Sequence, residues 1–345
     1  MPTPRLLRSL VPAALALLLA PMASQAAAPA PVMRVLSSLP LGGAGGWDYL
    51  SFDAARRHLF VSRGDRVLVI DVDRGKQIGT ITDTPGVHGI AIADDLQRGF
   101  TSNGKSASVT AFDLRTLKPV ATITGTGENP DAIVYDAPSQ HVLTFNGRSH
   151  SASVIDPARG AVIATIALPG KPEFAVSDGA GHIYDNIEDK SELVEIDTAA
   201  NTVLHVWPLA PCESPSGLAI DVAHQRLFSV CDNRLMVVTD ARDGHQVARV
   251  PIGDGPDGVV FDAAQSMIYS ANGGSGTITA IHQDDADHYR VRATLATQVS
   301  ARTLTLDPKL HRLYLSAARF GSTRQPNGRH TIVPGSFAVL TVGKP

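Results

Sequence analysis

The sequence predicts an all-β protein, a seven-bladed β-propeller with four antiparallel strands in each blade. A unit of two short apolar strands joined by a polar turn recurs seven times at intervals of 40 to 45 residues, a period typical of propellers and solenoids. No amphipathic pattern of helical length follows residue 26, which argues against helical repeats. Asp opens the turn in six of the seven repeats, at Asp53, Ala93, Asp136, Asp178, Asp221, Asp262 and Asp307.

Residues 1–26 have the pattern of a secretory signal peptide. Arg5 and Arg8 lead into the apolar stretch SLVPAALALLLA, and the small residues SQA precede Ala27. This apolar stretch is too short for a membrane span, and no later stretch reaches about 18 apolar residues. The sequence therefore predicts an exported, periplasmic protein without membrane insertion.

Residues 33–42, MRVLSSLPLG, read as a fourth strand with no blade in front of it, whereas the last repeat stops after SFAVLTV without a fourth strand. Pairing the two would remove an open sheet edge. We therefore expect residues 33–42 to close blade seven. The prediction is a single domain over residues 33–345, with blades that start near residues 47, 87, 130, 172, 215, 256 and 301.

The third and fourth strands of the blades also have a recurring pattern. A third strand ends in Val-Ile-Asp at residues 69–71 and 154–156, and in Glu-Ile-Asp at residues 195–197. A turn containing Gly follows, and then a strand such as AVIATIAL at residues 161–168. The Asp residues that open the turns are expected to accept hydrogen bonds from backbone amides.

Several second strands end in a shared motif. They are YSAN at residues 269–272, FTSN at 100–103 and LTFN at 143–146, and PDG occurs at 256–258. In these motifs the chain resembles the YVTN-type β-propeller repeat family, the YncE-like secreted proteins. The resemblance covers essentially the whole chain after the signal peptide. It implies the fold more than a function, because relatives of this type include binding proteins and subunits of redox enzymes.

The repeat also predicts which side chains meet at one end of the propeller channel. The start of a first strand and the end of a second strand lie on the same face, and first strands lie innermost. The predicted pairs are Asp48 with Arg63, His88 with Asn103, Asp131 with Asn146, Glu173 with Asn186, Ser216 with Cys231, Asp257 with Asn272, and Arg302 with Ala317.

These polar side chains are predicted to form a ligand-binding mouth, with Ser216, Cys231 and Ala317 left out of the ligand set. Carboxylates and amide oxygens suit a divalent cation of the calcium type, with Asp131, Glu173 and Asp257 as its ligands. Lining of the channel by solvated side chains is the alternative for the acids. A structural role in turns is the alternative for the asparagines, because Asn tolerates the left-handed conformation.

Cys212 and Cys231 are the only two cysteines, and the repeat places both on the same face. In an oxidising compartment this predicts a disulfide bond.

The formal net charge of −3 argues against binding to nucleic acid, which is itself negatively charged. The sequence favours a monomeric binding or scaffold protein that captures a small molecule, a metal ion or an envelope protein on its loop face. The first alternative is an enzyme at the same mouth, a metal-dependent hydrolase of the lactonase type or a lyase. The second is an accessory protein of a periplasmic quinoprotein redox system.

Overall fold

All regular elements that the structure describes are β-strands, as the repeat predicts. The structure is a computed structural model and describes residues 1–2, 33–324 and 330–345. Contacts divide the chain into Met1–Pro31 and Val32–Pro345, and the description below concerns the second unit. The predicted signal peptide lies outside the described residues. None of the described segments is a helix with the length and apolar character needed to cross a bilayer.

Four antiparallel strands form each blade, and the chain order within blades one to six is also the spatial order. The closing strand is β1 (Arg34–Pro40). Blade one comprises β2 (Leu50–Asp53), β3 (His58–Arg63), β4 (Arg66–Asp71) and β5 (Lys76–Ile81). Blade two comprises β6 (Val87–Ala93), β7 (Arg98–Asn103), β8 (Ser108–Asp113) and β9 (Pro119–Thr124). Blade three comprises β10 (Pro130–Asp136), β11 (His141–Asn146), β12 (Ser151–Asp156) and β13 (Ala161–Ala167).

The second half of the ring repeats this arrangement. Blade four comprises β14 (Pro172–Ser177), β15 (His182–Ile187), β16 (Glu192–Asp197) and β17 (Thr202–Pro208). Blade five comprises β18 (Pro215–Asp221), β19 (Arg226–Cys231), β20 (Leu235–Asp240) and β21 (Gln246–Pro251). Blade six comprises β22 (Pro256–Asp262), β23 (Met267–Asn272), β24 (Thr277–Gln283) and β25 (Tyr289–Ala296). Blade seven contains β26 (Leu304–Asp307), β27 (Arg312–Ala317) and β30 (Ala338–Gly343), and the hairpin of β28 (Phe320–Arg324) and β29 (His330–Ile332) is inserted after β27.

The seventh blade is completed by the N-terminal strand, which confirms the predicted closure. β1 pairs antiparallel with β30, from Arg34 opposite Gly343 to Pro40 opposite Ala338. The sheet order is β26, β27, β30 and β1, so the two ends of the propeller belong to one blade. The first strands contact one another around the ring in the order β2, β6, β10, β14, β18, β22, β26 and back to β2.

The hydrophobic core consists of one cluster between each neighbouring pair of blades. Each blade therefore buries both of its faces, and the third strands are buried along almost their whole length. The buried positions of RVLVID in β4 are all apolar, whereas other third strands carry buried Ser or Thr. Asp side chains fix the turns between strands. Asp53 accepts a hydrogen bond from the amide of Arg56, and Asp71 accepts from those of Asp73 and Arg74.

A bulge recurs at the start of the first strand in blades two to six. In blade three, Pro130 pairs with Asn146 and Ile133 pairs with Thr144, so that Asp131 and Ala132 stand opposite one residue. The same register shift follows the first residue of β6, β14, β18 and β22. A bulge changes the direction of the side chains at that point. It occurs where the predicted mouth residues lie.

Candidate functional site

A cluster of charged side chains lies at one end of the propeller channel, where the first strands begin. We call this cluster the axial mouth; its members are Asp48, His88, Asp131, Lys171, Glu173, Asp257 and Arg302. His88 Nδ1 lies 2.6 Å from Asp48 Oδ2 and 3.5 Å from Asp131 Oδ1. Blades one, two and three are thereby joined through one imidazole ring.

Arg302 joins the other side of Asp48 to blade six. Its Nη2 lies 3.6 Å from Asp48 Oδ1, and its Nε lies 3.2 Å from Asp257 Oδ2. The side chain of Arg302 is 41% exposed, so water reaches this arrangement from the open end of the channel. The structure places Arg302 in the mouth between two carboxylates, a pairing that the sequence analysis did not specify.

Lys171 is a member of the mouth that the sequence analysis missed. Its Nζ lies 3.0 Å from Glu173 Oε2 and also contacts Glu188 Oε2. It directly precedes Pro172, the first residue of β14. In the repeat, the residue before this proline stands just above the first strand, and that position could have identified Lys171 from the sequence.

Tyr49 forms the floor of the mouth. It extends from blade one across the channel, donates a hydrogen bond from its hydroxyl to the backbone carbonyl of Glu173 (3.2 Å) and packs edge-on against Phe174, with ring centroids 5.1 Å apart. Beyond it, the first strands line a cavity of about 350 Å³. The sequence analysis did not single out Tyr49, since its role depends on a contact 124 residues along the chain.

Three acids of the mouth, Asp131, Glu173 and Asp257, hold their protons more strongly than ordinary carboxyl groups. Burial, followed by the charge of Asp48, raises the pKa of Asp131 to about 7. Burial and the charge of Asp131 raise the pKa of Glu173 to about 9. Burial also raises the pKa of Asp257 to about 6, although Arg302 opposes the shift. These carboxyl groups are therefore partly protonated at neutral pH.

The pKa of His88 is also raised. Burial disfavours its charged form, but the hydrogen bond with Asp48 and the negative charges of Asp131 and Asp48 outweigh burial. The ring of His88 lies between these two carboxylates and contacts both.

These shifts predict a pH dependence of stability. Because the folded protein holds protons on Asp131, Glu173 and Asp257 that the unfolded chain releases near its ordinary pKa values, their contribution is fully present below about pH 4 and is lost as the pH rises through about 6, 7 and 9. We expect the melting temperature of the wild type, relative to that of Asp131→Asn/Glu173→Gln, to fall between pH 5 and pH 9. Parallel melting curves for the two proteins across this range would contradict the assignment.

Three predicted mouth residues, Asn103, Asn146 and Asn272, are instead buried within their blades, which corrects the sequence analysis. All three are 0% exposed. The amide of Asn146 donates to Ser151 and Ser153, and its oxygen accepts a hydrogen bond from Thr144. Asn103 and Asn272 make the same set of bonds with Ser or Thr residues. The final Asn of the repeat motif is thus a structural residue, because its side chain is buried and both of its N–H groups donate within the blade.

This network predicts a loss of stability in Asn146→Ala. The hydroxyl groups of Thr144, Ser151 and Ser153 lose a buried partner, and the free energy of unfolding should fall by about 1–3 kcal/mol in urea denaturation. Adding Ser153→Ala removes one of the stranded hydroxyls. The double variant should therefore lose less than the sum of the two single variants, and strict additivity would argue against the network.

In blade four, the structure shifts the predicted pair by one residue. Pro172 pairs with Ile187, so Ile187 and not Asn186 occupies the position of the buried asparagines. The Asn186 side chain points the other way, donates to the carbonyl of Ser216 in blade five and accepts from Ser229. Glu173 and Asn186, the predicted pair of this blade, are closer in sequence than the predicted pairs of the other blades, and this difference indicated the shift.

Arg63 is also a structural residue rather than a part of the mouth surface. It is 1% exposed, and its guanidinium stacks on the ring of Phe337 at 4.1 Å. Burial, aided by Arg66, lowers its pKa to about 10. Its N–H groups hold the segment that leads from β1 to Asp48 by donating to the backbone carbonyls of Gly42, Gly43, Gly45 and Gly46.

The predicted disulfide between Cys212 and Cys231 is present, with Cα atoms 5.4 Å apart. Cys231 ends β19 and is fully buried, so it fixes the loop before blade five to the mouth end of that blade. The bond is consistent with an oxidising compartment.

Two groups of side chains among the described residues could hold a metal ion, one in the mouth and one formed by Asp240, Asp243 and His245. Ligand atoms of Asp48, His88 and Asp131 lie within 4.8 Å of one another. Of the predicted trio only Asp131 belongs to this set, because Glu173 and Asp257 face Lys171 and Arg302. One imidazole nitrogen and two carboxylates suit a transition-metal ion better than calcium, which prefers six or more oxygen ligands.

Comparison with known proteins identifies the fold alone. No family model and no curated protein matches the chain. A structure described as Kuenenia stuttgartiensis hydrazine synthase is 15% identical, with a TM-score of 0.71 over 84% of this chain and 95% of that chain. A structure of U3-55K is 11% identical, with a TM-score of 0.75 over 89% of this chain and 98% of that chain. A structure of the RRP9 WD40 repeats is also 11% identical, with a TM-score of 0.75 over 91% of this chain and 99% of that chain. At these identities, the similarity establishes the β-propeller and leaves the YncE-like assignment a resemblance.

Proposed function

We propose that the protein is an exported binding protein that captures a small ligand at the axial mouth. The observation that carries this proposal is the convergence of ionisable side chains from six blades above the floor formed by Tyr49. A concave, partly buried site with a few convergent polar groups is the usual form of a small-molecule site. The predicted signal peptide and the disulfide support export.

The test is native mass spectrometry of the protein released from the periplasm. We expect a bound mass on the wild-type protein that is absent from Asp131→Asn/Glu173→Gln. Asp254→Asn, which changes an exposed acid of the neighbouring loop, should retain it. A bound mass that is equally present in all three proteins would show that the ligand lies elsewhere, and a wild type without any bound mass would contradict capture.

A metal-dependent hydrolase is the second candidate function, favoured by the cluster of Asp48, His88 and Asp131. A bound metal ion can lower the pKa of its water ligand and so supply a nucleophile. If the protein hydrolyses sugar lactones, a chelator should abolish the reaction, and Mn²⁺ or Zn²⁺ should restore it in the wild type but not in His88→Ala. Hydrolysis that persists in His88→Ala would exclude this site as its source.

A further inference from the structure

The charges of the axial mouth alternate in sign around most of the ring. From blade six to blade three the order is Asp257, Arg302, Asp48, His88 and Asp131. On the other side, Lys171 stands between Glu173 and Glu188. Among the ion pairs of the described residues, none places a cation between Asp131 and Glu173. The alternation therefore breaks between blades three and four.

The carboxylate on one side of this break lacks a hydrogen-bond donor. Asp131 Oδ1 is buried, accepts no hydrogen bond from the described residues and has His88 Nδ1 at 3.5 Å as its nearest cation partner. The other oxygens of the mouth acids include several with a close partner, such as Asp48 Oδ2 at 2.6 Å from His88. A buried carboxylate oxygen without a donor is costly, and a bound ligand can supply the missing one.

A second, independent observation comes from Asp185, which lies behind Glu173 in β15. It is 0% exposed, and no side chain of the described residues donates a hydrogen bond to its carboxylate. The backbone amide of Glu173 is the group that favours its charged form, while burial and the charge of Glu173 raise its pKa well above the ordinary range.

Comparison of the blades shows that an aspartate at the position of Asp185 departs from the Ser or Thr found there in other blades. Thr101, Thr144 and Ser270 occupy the equivalent positions of three other blades, and each donates a hydrogen bond to the Asn two residues later in its own strand. Ser229 has this position in blade five and donates to Asn186 of blade four. Blade four has replaced the partners of this network with Ile187 and Val194. Departures from a local rule that cost stability are expected at functional sites. This departure lies beside the break in the mouth.

We propose that the space between Asp131 and Glu173 is a binding slot for the ammonium group of a small amine. The inference rests on the proposed function and names its ligand class. An ammonium group brings one positive charge and three N–H donors. Asp131 Oδ1 has no donor, and Glu173 Oε2 has the Lys171 ammonium group on one side. Among the described residues, two carboxyl groups flank this space, which are fewer oxygen ligands than the six or more of a calcium site. His88 is already hydrogen-bonded to Asp48 on the far side of Asp131.

Calorimetry with three matched probes tests the slot on the wild-type protein. Propylammonium should bind with a dissociation constant in the millimolar range. Tetramethylammonium has the same charge without N–H donors and should bind at least tenfold more weakly, and 1-propanol should give no heat of binding. Equal affinities for the two cations would overturn the inference, because they would show attraction by charge without hydrogen bonds.

Variants locate the site. Asp131→Asn and Glu173→Gln should each weaken propylammonium binding at least tenfold, whereas the control Asp254→Asn should leave it unchanged. Asp185→Ser, which restores the residue type of the other blades, should weaken binding several-fold and raise the melting temperature by about 2–4 °C. Unchanged affinity in Asp185→Ser would overturn its part in the slot, and the melting curve shows that each variant is folded.

The failure of this inference is distinguishable from that of the proposed function. A native ligand without an amino group, together with no propylammonium binding, would overturn the ammonium slot and leave small-ligand capture intact. Tight binding of Mn²⁺ that is lost in both Asp131→Asn and His88→Ala would also overturn it. If the protein carries no bound mass and binds none of the probes, both the ammonium slot and the proposed small-ligand capture are contradicted.

Discussion

A chain that begins at Gly43 instead of Met33 should lose much of its stability. In the folded protein, β1 pairs only with β30, and Leu36, Leu39 and Leu41 are half-buried against the seventh and first blades. Complete burial of one leucine side chain contributes about 1.5–3 kcal/mol, so three half-buried ones contribute on the order of 2–4 kcal/mol, in addition to the lost strand pairing. Total stabilities of roughly 5–15 kcal/mol make this a large fraction.

Urea denaturation of the two chains measures the effect. A synthetic peptide of residues 33–42 should restore part of the stability of the shorter chain when added in excess, because it can pair with the open edge of β30. A peptide of the same composition in scrambled order is the control. Equal urea midpoints for the two chains would show that the ring holds without its closing strand.

Loss of the disulfide has the second large effect that we expect. Cys212 and Cys231 are 19 residues apart, and a cross-link that closes a loop of this length stabilises by about 3 kcal/mol, chiefly by restricting the unfolded chain. The double variant Cys212→Ala/Cys231→Ala should therefore unfold at a lower urea concentration. Both positions are buried, so alanine avoids a new unpaired hydroxyl.

Reduction of the wild type provides the matched control. A thiol reductant should lower the urea midpoint of the wild type towards that of the double variant and should leave the double variant unchanged. If the reduced and oxidised wild type unfold at the same midpoint, the bond contributes nothing to stability. A loss confined to blade five would instead appear as two separate transitions.

The repeat motif and the mouth have separate roles in this propeller. In the described blades, the final Asn of the motif satisfies buried hydroxyl groups, as Asn146 does with Thr144 and Ser153. The ionisable residues stand at the start of the first strands, where the recurring bulge changes the direction of the side chains. Substitutions in the asparagine network should therefore alter stability, whereas substitutions at Asp131 or Glu173 should alter ligand capture.

The sequence by itself determined the propeller, its seven blades, the closing strand and the disulfide. The blades are encoded within single repeats, because strand alternation, turns opened by Asp and buried third strands depend on neighbouring residues. The closure followed from two incomplete strand patterns at the two ends of the chain. The cysteine pair followed from the face to which the repeat assigns each residue.

Only the tertiary structure decided which polar residues face the channel and which face the core. The bulge directs Asp131 into the mouth, whereas its sequence-predicted partner Asn146 turns inward, and the residue count alone cannot show this difference. Contacts across the ring, such as the bond from Thr303 to the carbonyl of Asp48 over 255 residues, exist only after closure. The physical reason is that a repeat specifies its own hydrogen bonds, while the meeting of charges from different blades depends on the ring geometry.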